Sequence, residues 1–159
     1  MAKTETRSNE KLVADNRKAF HDFHILETFE AGVALLGTEV KAIREGRVNL
    51  RDSYARAEGG EIFVYNIHIS PYTHRGYADH EPTRRRKLLL HREEIRKLIG
   101  KTTERGMTLV PTRMYFKNGR VKLAVGLAKG KKEHDKRETI RRREAERETR
   151  AAIKERRSR

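Results

Sequence analysis

Between Lys129 and Arg159 the only sizeable apolar side chains are Ile140 and Ile153, whereas the stretch carries fourteen Lys/Arg against seven Asp/Glu and no Gly or Pro after Gly130. A segment of this kind cannot bury enough surface to offset its chain entropy, so it adds nothing to a core and is expected to be disordered in isolation. Its residues are nonetheless nearly all helix formers. Glu138 precedes Arg142, and Glu146 precedes Arg150, by four positions, the spacing at which opposite charges pair along a helix. The tail therefore reads as an arm that becomes helical on a polyanion, and any folded domain must come from what precedes it. The expected organisation is a polar N-terminal arm over 1–15, a folded domain over 16–130 and a basic tail over 131–159.

Within the folded part the patterning is that of short strands. Phe20 to Phe29 places Phe23, Ile25 and Phe29 on one parity, and Glu30-Ala31-Gly32 is expected to turn it into Val33-Ala34-Leu35-Leu36 as a hairpin. Thr38 is placed to cap a short helix carrying Val40 and Ile43, with Gly46 to stop it. Tyr54 to Glu58 and Ile62 to Ile69 flank Gly59-Gly60, and Phe63, Tyr65, Ile67 and Ile69 are expected on one face. Pro71 to Pro82 reads as a loop, and a helix from about Arg92 carries Ile95, Leu98 and Ile99. The clearest hairpin is the last, Met107 to Phe116 and Val121 to Leu127 around Asn118-Gly119, with Lys122 aimed away from the core and Pro111 at an edge or bulge. About six strands in three hairpins, mainly β with small helices, suit a closed antiparallel barrel of the oligonucleotide-binding type; a half-open sheet with packed helices is the alternative.

Charge narrows the partner. The formal net charge is +15, of which the tail supplies +7, so both parts are basic and should be drawn to the same polyanion. Nucleic acid leads. A membrane is disfavoured, because the tail lacks an apolar face and no apolar run approaches spanning length. With no Cys, no disulfide framework is inferred, and the polar start from Met1 to Glu10 lacks the apolar segment of a signal peptide, so a cytoplasmic protein is expected.

Motifs for chemistry fail one by one. Gly100-Lys101-Thr102 would need a glycine where Ile95 stands to form a phosphate-binding loop, and Gly126 to Lys131 has the wrong spacing, with Lys132 in place of Ser or Thr. His21 and His24 differ by an odd number on an expected strand, and His68, His74 and His80 straddle a loop, so no metal is expected. The four serines form no nucleophile elbow, no cofactor is implied and the chain is not expected to be an enzyme; a small basic ribonuclease is kept as a rival. Arg84-Arg85-Arg86-Lys87, before Leu88-Leu89-Leu90, is read as a phosphate-contacting cluster anchored by the apolar triplet. Tyr65, Tyr115 and Phe116 are candidates for stacking bases, while Phe23 and Phe63 are assigned to the core.

Several strings are more specific: Asn16-Arg17-Lys18-Ala19, Phe29-Glu30-Ala31-Gly32, Gly37-Thr38-Glu39-Val40-Lys41, Arg86-Lys87-Leu88-Leu89-Leu90, Lys117-Asn118-Gly119, and Gly130-Lys131-Lys132 followed by His134-Asp135-Lys136-Arg137. In this order and spacing the chain resembles the small protein B, or SsrA-binding protein, family from Asn16 onward. The resemblance implies an oligonucleotide-binding-type barrel that clasps the tRNA-like end of transfer-messenger RNA. It also implies passage, with elongation factor Tu, into the vacant decoding site of a ribosome stalled on a message without a stop codon. By matching motif it implies Asn16, Glu30, Leu89 and Lys122 at the RNA surface, with Lys18 and His21 beside the first motif. Lys129, Gly130, Lys131, Lys132, His134, Asp135, Lys136 and Arg137 match a segment that becomes helical in the empty message channel, near small-subunit ribosomal RNA. One departure is plain: many relatives carry tryptophan after the Arg-Glu that here is Arg143-Glu144, and this chain has Ala145. A basic ribosomal protein is the structural rival to this reading.

Overall fold

The structure is a computed structural model that describes residues 9–71, 80–103, 106–131 and 133–157. Its longest hairpin is that of β8 (Met107–Lys117) and β9 (Arg120–Gly130), turned by Asn118 and Gly119, which both take positive φ, 51° and 78°. That pair of left-handed residues is what a type I′ turn needs to follow the twist of its strands. Gly59 and Gly60, at 57° and 78°, do the same between β4 (Tyr54–Glu58) and β5 (Glu61–Tyr65).

With β2 (Phe23–Val33) and β7 (Arg86–Leu89), these strands close a ring. β8 pairs with β4, β4 with β5, β5 with β7, β7 with β2, β2 with β9, and β9 returns to β8, all antiparallel. The inner face buries Phe29, Ala31, Ile62, Val64, Leu88, Leu109, Met114, Leu123, Val125 and Leu127. Leu98 of α3 (Arg92–Thr102) and Ile43 of α2 (Gly37–Arg44) join this cluster, so the amphipathic faces of both helices complete one core. The molecule is thus mostly strand with small helices, and the sheet is a ring. A short pair, β3 (Val48–Asn49) with β6 (His68–Ile69), lies beside it.

Several expectations are corrected. Phe20 to Leu36 is not a hairpin: Phe20 belongs to α1 (Arg17–Asp22), and β2 runs unbroken through Glu30-Ala31-Gly32, pairing with β9 from Phe23↔Gly130 to Gly32↔Lys122. Gly32 serves close approach rather than turning, since a Cβ there would sit 3.2 Å from the Leu89 Cβ across the β2–β7 pair. Residues 10–15 are no arm either; as β1 (Glu10–Asp15) they pair with Arg113–Lys117 of β8, and a strand needing only Val13 and Ala14 against the core looks polar in sequence. Asn66 at φ 63° breaks the expected face of β5, so Ile62, Val64, Ile67 and Ile69 are buried while Phe63 and Tyr65 lie on the other side, half-buried. Thr38 does not cap α2: the Leu36 N–H donates to Glu39 at 2.8 Å, and the Thr38 hydroxyl meets His80.

Pro111 does sit at a bulge, between Pro111 and Arg113 in the β8–β9 register, where β8 also changes partner from β4 to β1. Residues 133–157 of the tail form one helix, α4 (Glu133–Arg157). Neither Glu138–Arg142 nor Glu146–Arg150 closes as an ion pair among the described residues. What fixes the helix start is the body: the Lys131 N–H donates to the Asp22 carbonyl at 2.9 Å, and its ammonium donates to the Phe20 carbonyl at 3.1 Å and to Thr139 Oγ1 at 2.9 Å.

Candidate nucleic-acid interface

The ring brings Glu30, Leu89 and Lys122 together around one glycine. Gly32 lies directly across from Leu89 on β7 and directly across from Lys122 on β9, and Glu30 precedes it by two positions on the same face of β2. Leu89 is 53% exposed, an apolar knob beside the crossing that the absent Cβ of Gly32 permits.

The hairpin register then places Tyr115 opposite Lys122. The Tyr115 hydroxyl donates to Glu30 Oε2 at 2.5 Å, and the Lys117 ammonium lies 3.3 Å from both Glu30 oxygens. The hydrogen bond from Tyr115 holds the Glu30 carboxyl below its ordinary pKa, with Lys117 and Lys122 adding to the effect. Burial and the neighbouring Glu30 push the Tyr115 phenol far up. The pair is therefore an ionised acceptor locked by a protonated donor, flanked by two lysines. Such a group accepts hydrogen bonds from base amino groups or 2′-hydroxyls while the lysines meet phosphates.

Other expected interface residues are placed differently. Asn16 is 4% exposed: its Oδ1 caps α1 by accepting from the Ala19 N–H, and its Nδ2 donates to the Pro111 carbonyl at 2.8 Å and the Leu50 carbonyl at 3.2 Å. The Asn16 N–H donates to the Thr112 carbonyl at 2.9 Å, so this residue satisfies the bulge in β8 rather than presenting itself to a ligand. Arg86 is 1% exposed, and its guanidinium binds Glu39, the Ile67 carbonyl at 2.9 Å and the Pro82 carbonyl at 3.1 Å. Its parity on β7 points it inward, which removes it from the expected basic cluster.

The rest of that cluster is ion-paired: Arg84 with Glu39 at 2.6 Å, Arg85 with Glu58 at 2.6 Å and Lys87 with Glu61 at 3.4 Å. Lys87 also lines, with Leu89, Arg92 and Arg96, a groove of about 510 Å³ between β7 and α3. Tyr65, a stacking candidate, instead stacks on Tyr54 with ring centroids 5.3 Å apart, while Arg56 lies over its ring.

Lys18 pairs with Asp52 at 2.5 Å, and His21, which is on α1 and not on a strand, pairs with Asp22 at 2.8 Å. Lys129 and Gly130 end β9 in exposed positions, Lys132 lies outside the described residues, and His134 and Asp135 fall in the first turn of α4. Lys136 lies 3.7 Å from Asp22, and Arg137 is exposed. Of the histidines weighed for metal, His74 is outside the described residues; among those described no group of three or more metal-ligating side chains gathers. No helix among the described residues is long and apolar enough to cross a membrane.

Sequence reasoning missed the roles of Tyr115 and Lys117 toward Glu30. The signal was present: a two-residue Asn-Gly turn fixes Lys117 opposite Arg120 and hence Tyr115 opposite Lys122.

Comparison with known proteins adds a family. The sequence model described as "SmpB protein" matches residues 13–155. The SsrA-binding protein of Carboxydothermus hydrogenoformans is 59% identical over 147 residues, covering 92% of this chain and 99% of that protein. That of Geobacillus kaustophilus is 58% identical over 146 residues, covering 92% and 94%. A chain in a solved structure described as "tmRNA-SmpB: a journey to the center of the bacterial ribosome" is similar at a TM-score of 0.65 and 49% identity, covering 81% of this chain and 94% of that one.

Proposed function

The chain belongs to the SmpB family of SsrA-binding proteins, and from that premise we propose how its surfaces divide the work. It binds transfer-messenger RNA and acts with it on the ribosome, in rescue by trans-translation. The outer face of β2, β8 and β9 is the surface for the tRNA-like domain of that RNA. The ring acts as an oligonucleotide-binding-type barrel, and the protein works in the cytoplasm by recognition without covalent chemistry.

The observation that carries this assignment is the convergence of Glu30, Leu89 and Lys122 around Gly32, from three different strands. Lys122 and Lys117 supply phosphate contacts, Glu30 a locked acceptor and Leu89 an apolar contact to a sugar or base. A folded RNA is read by such a surface through its shape. Because the acceptor is held in place by Tyr115 before the RNA arrives, little ordering cost falls on binding.

The tail, from Lys129 through Arg157, reaches into the message channel of the small subunit, which admits it only when no message is present; elongation factor Tu accompanies the complex there. Its 25-residue helix is about 37 Å long, a rod suited to such a passage. The test is a titration of the tRNA-like domain and of an elongator tRNA of similar length at moderate salt. Tighter binding of the tRNA-like domain supports the assignment; equal affinities overturn it.

A further inference from the structure

Leu89 is shared between two surfaces. It lies across from Gly32 on β2, and it also lines, with Leu90 and Ile95, the groove of about 510 Å³ between β7 and α3 to which Lys87, Arg92 and Arg96 contribute. The α3 residues in that groove, Arg92, Ile95, Arg96 and Ile99, follow i, i+3, i+4, i+7 spacing, so one helix face supplies both aliphatic and cationic lining. Leu90 and Ile95 pack against the core, which fixes the aliphatic part. Arg92 and Arg96 are exposed, and neither closes an ion pair among the described residues. Lys87 meets Glu61 at 3.4 Å with the two side chains 43% and 41% exposed, a weak surface contact that a phosphate can replace.

Resting on the assignment of the Glu30, Leu89 and Lys122 face to the tRNA-like domain, we propose that this groove is a pocket for one unpaired nucleotide of the same RNA. The nucleotide is turned out of its helix, with its base on Leu89, Leu90 and Ile95 and its flanking phosphates on Arg92 and Arg96. Those two residues stand about 6 Å apart along α3, one on either side of such a nucleotide. Leu89 makes the groove continuous with the RNA face, so an RNA lying there reaches α3 without a gap. A groove of this volume takes a ligand of nucleotide size and excludes a duplex. Recognition of folded RNA commonly targets bases splayed out of the stack, and turning one out costs least where it is already unpaired. An extended peptide is the poorer occupant: β7 is paired on both edges, with β5 and with β2, and offers no free edge to an added strand. Three cations beside the single carboxylate of Glu61 favour a phosphate chain over a neutral apolar ligand.

The test titrates the full chain with the tRNA-like domain carrying 2-aminopurine at one unpaired position at a time. Arg92→Gln with Arg96→Gln should weaken binding about fivefold or more and, at about 0.7 for each lost phosphate contact, reduce the salt slope by about 1.4. Arg92→Lys with Arg96→Lys keeps the charge and should stay within about twofold of wild type. Lys97→Gln with Lys101→Gln removes the same charge from the opposite face of α3 and should change affinity less than about twofold. One labelled position should brighten on binding wild type, and that signal should be lost with saturating Arg92→Gln, Arg96→Gln protein, whose thermal melt should match wild type. Equal losses from the two glutamine pairs, no loss from Arg92→Gln with Arg96→Gln, or no responding position would each overturn the pocket while leaving the preference for the tRNA-like domain over an elongator tRNA intact. Absence of that preference in wild type would overturn the Glu30 face assignment and the pocket with it.

Discussion

The Glu39 carboxylate and the Arg86 guanidinium form an ion pair with both side chains withdrawn from solvent, Arg86 on β7 and Glu39 on α2. Burial alone would raise the Glu39 pKa, but hydrogen bonds from Arg84, the Leu36 N–H and Arg86 outweigh it and hold the group below its ordinary 4.5. A lowered folded-state pKa means the unfolded chain binds more protons in acid. The contribution is therefore full above about pH 4.5 and is lost as pH falls through the folded value. Urea midpoints measured from pH 7 to pH 3 should fall most steeply below 4.5, and Glu39→Gln should flatten that fall.

Arg86→Met removes one partner and leaves Glu39 with Arg84 and the Leu36 N–H alone. Breaking a buried pair costs about 3–5 kcal/mol, and the remaining partners place the expected loss near 3 kcal/mol. Chemical denaturation of the variant against wild type checks this.

Asn16→Ala deletes the α1 cap and strands the Pro111 and Leu50 carbonyls, an expected cost of about 2–3 kcal/mol. Asn16→Asp still accepts from the Ala19 N–H but donates to neither carbonyl, so it should rescue little. Denaturation midpoints of the two variants distinguish this bulge-filling role from a surface role, which would leave stability unchanged.

Tyr115→Phe unlocks Glu30 without changing charge. The Glu30 pKa should rise toward its ordinary value, followed by NMR titration, and affinity for the tRNA-like domain should fall by less than it does in Glu30→Ala.

Truncation after Gly130 should abolish peptide tagging on ribosomes stalled at a message end while leaving affinity for the tRNA-like domain within about threefold. Parallel tagging and titration assays read this; loss of both would contradict the division between ring and tail.

What was legible in the sequence follows from local rules. Asn118-Gly119 and Gly59-Gly60 announced their hairpins because two positive φ values are affordable at few residue pairs. The Glu30-Ala31-Gly32 string misled because glycine is needed equally by a turn and by a close strand crossing, and only the position of Leu89 distinguishes them. Leu12 to Asp15 escaped notice because a strand added outside the ring at β8 relies on backbone pairing more than on apolar alternation. In the site, the family resemblance singled out Glu30, Leu89 and Lys122, but their adjacency is a product of two strand pairings of long sequence separation, β2 with β7 and β2 with β9. The inward aim of Arg86 needed the position of Glu39, 47 residues away, and no count of basic residues supplies that.

The most direct test of the central claim is the affinity of the full chain for the tRNA-like domain after Glu30→Ala with Lys122→Ala, beside Glu93→Ala with Lys101→Ala on α3 as a charge-matched control. The account predicts at least tenfold weaker binding for the first pair, a salt slope reduced by about one, an unchanged melt, and wild-type affinity for the control. Wild-type affinity in the first pair, or the same loss in both, would contradict it.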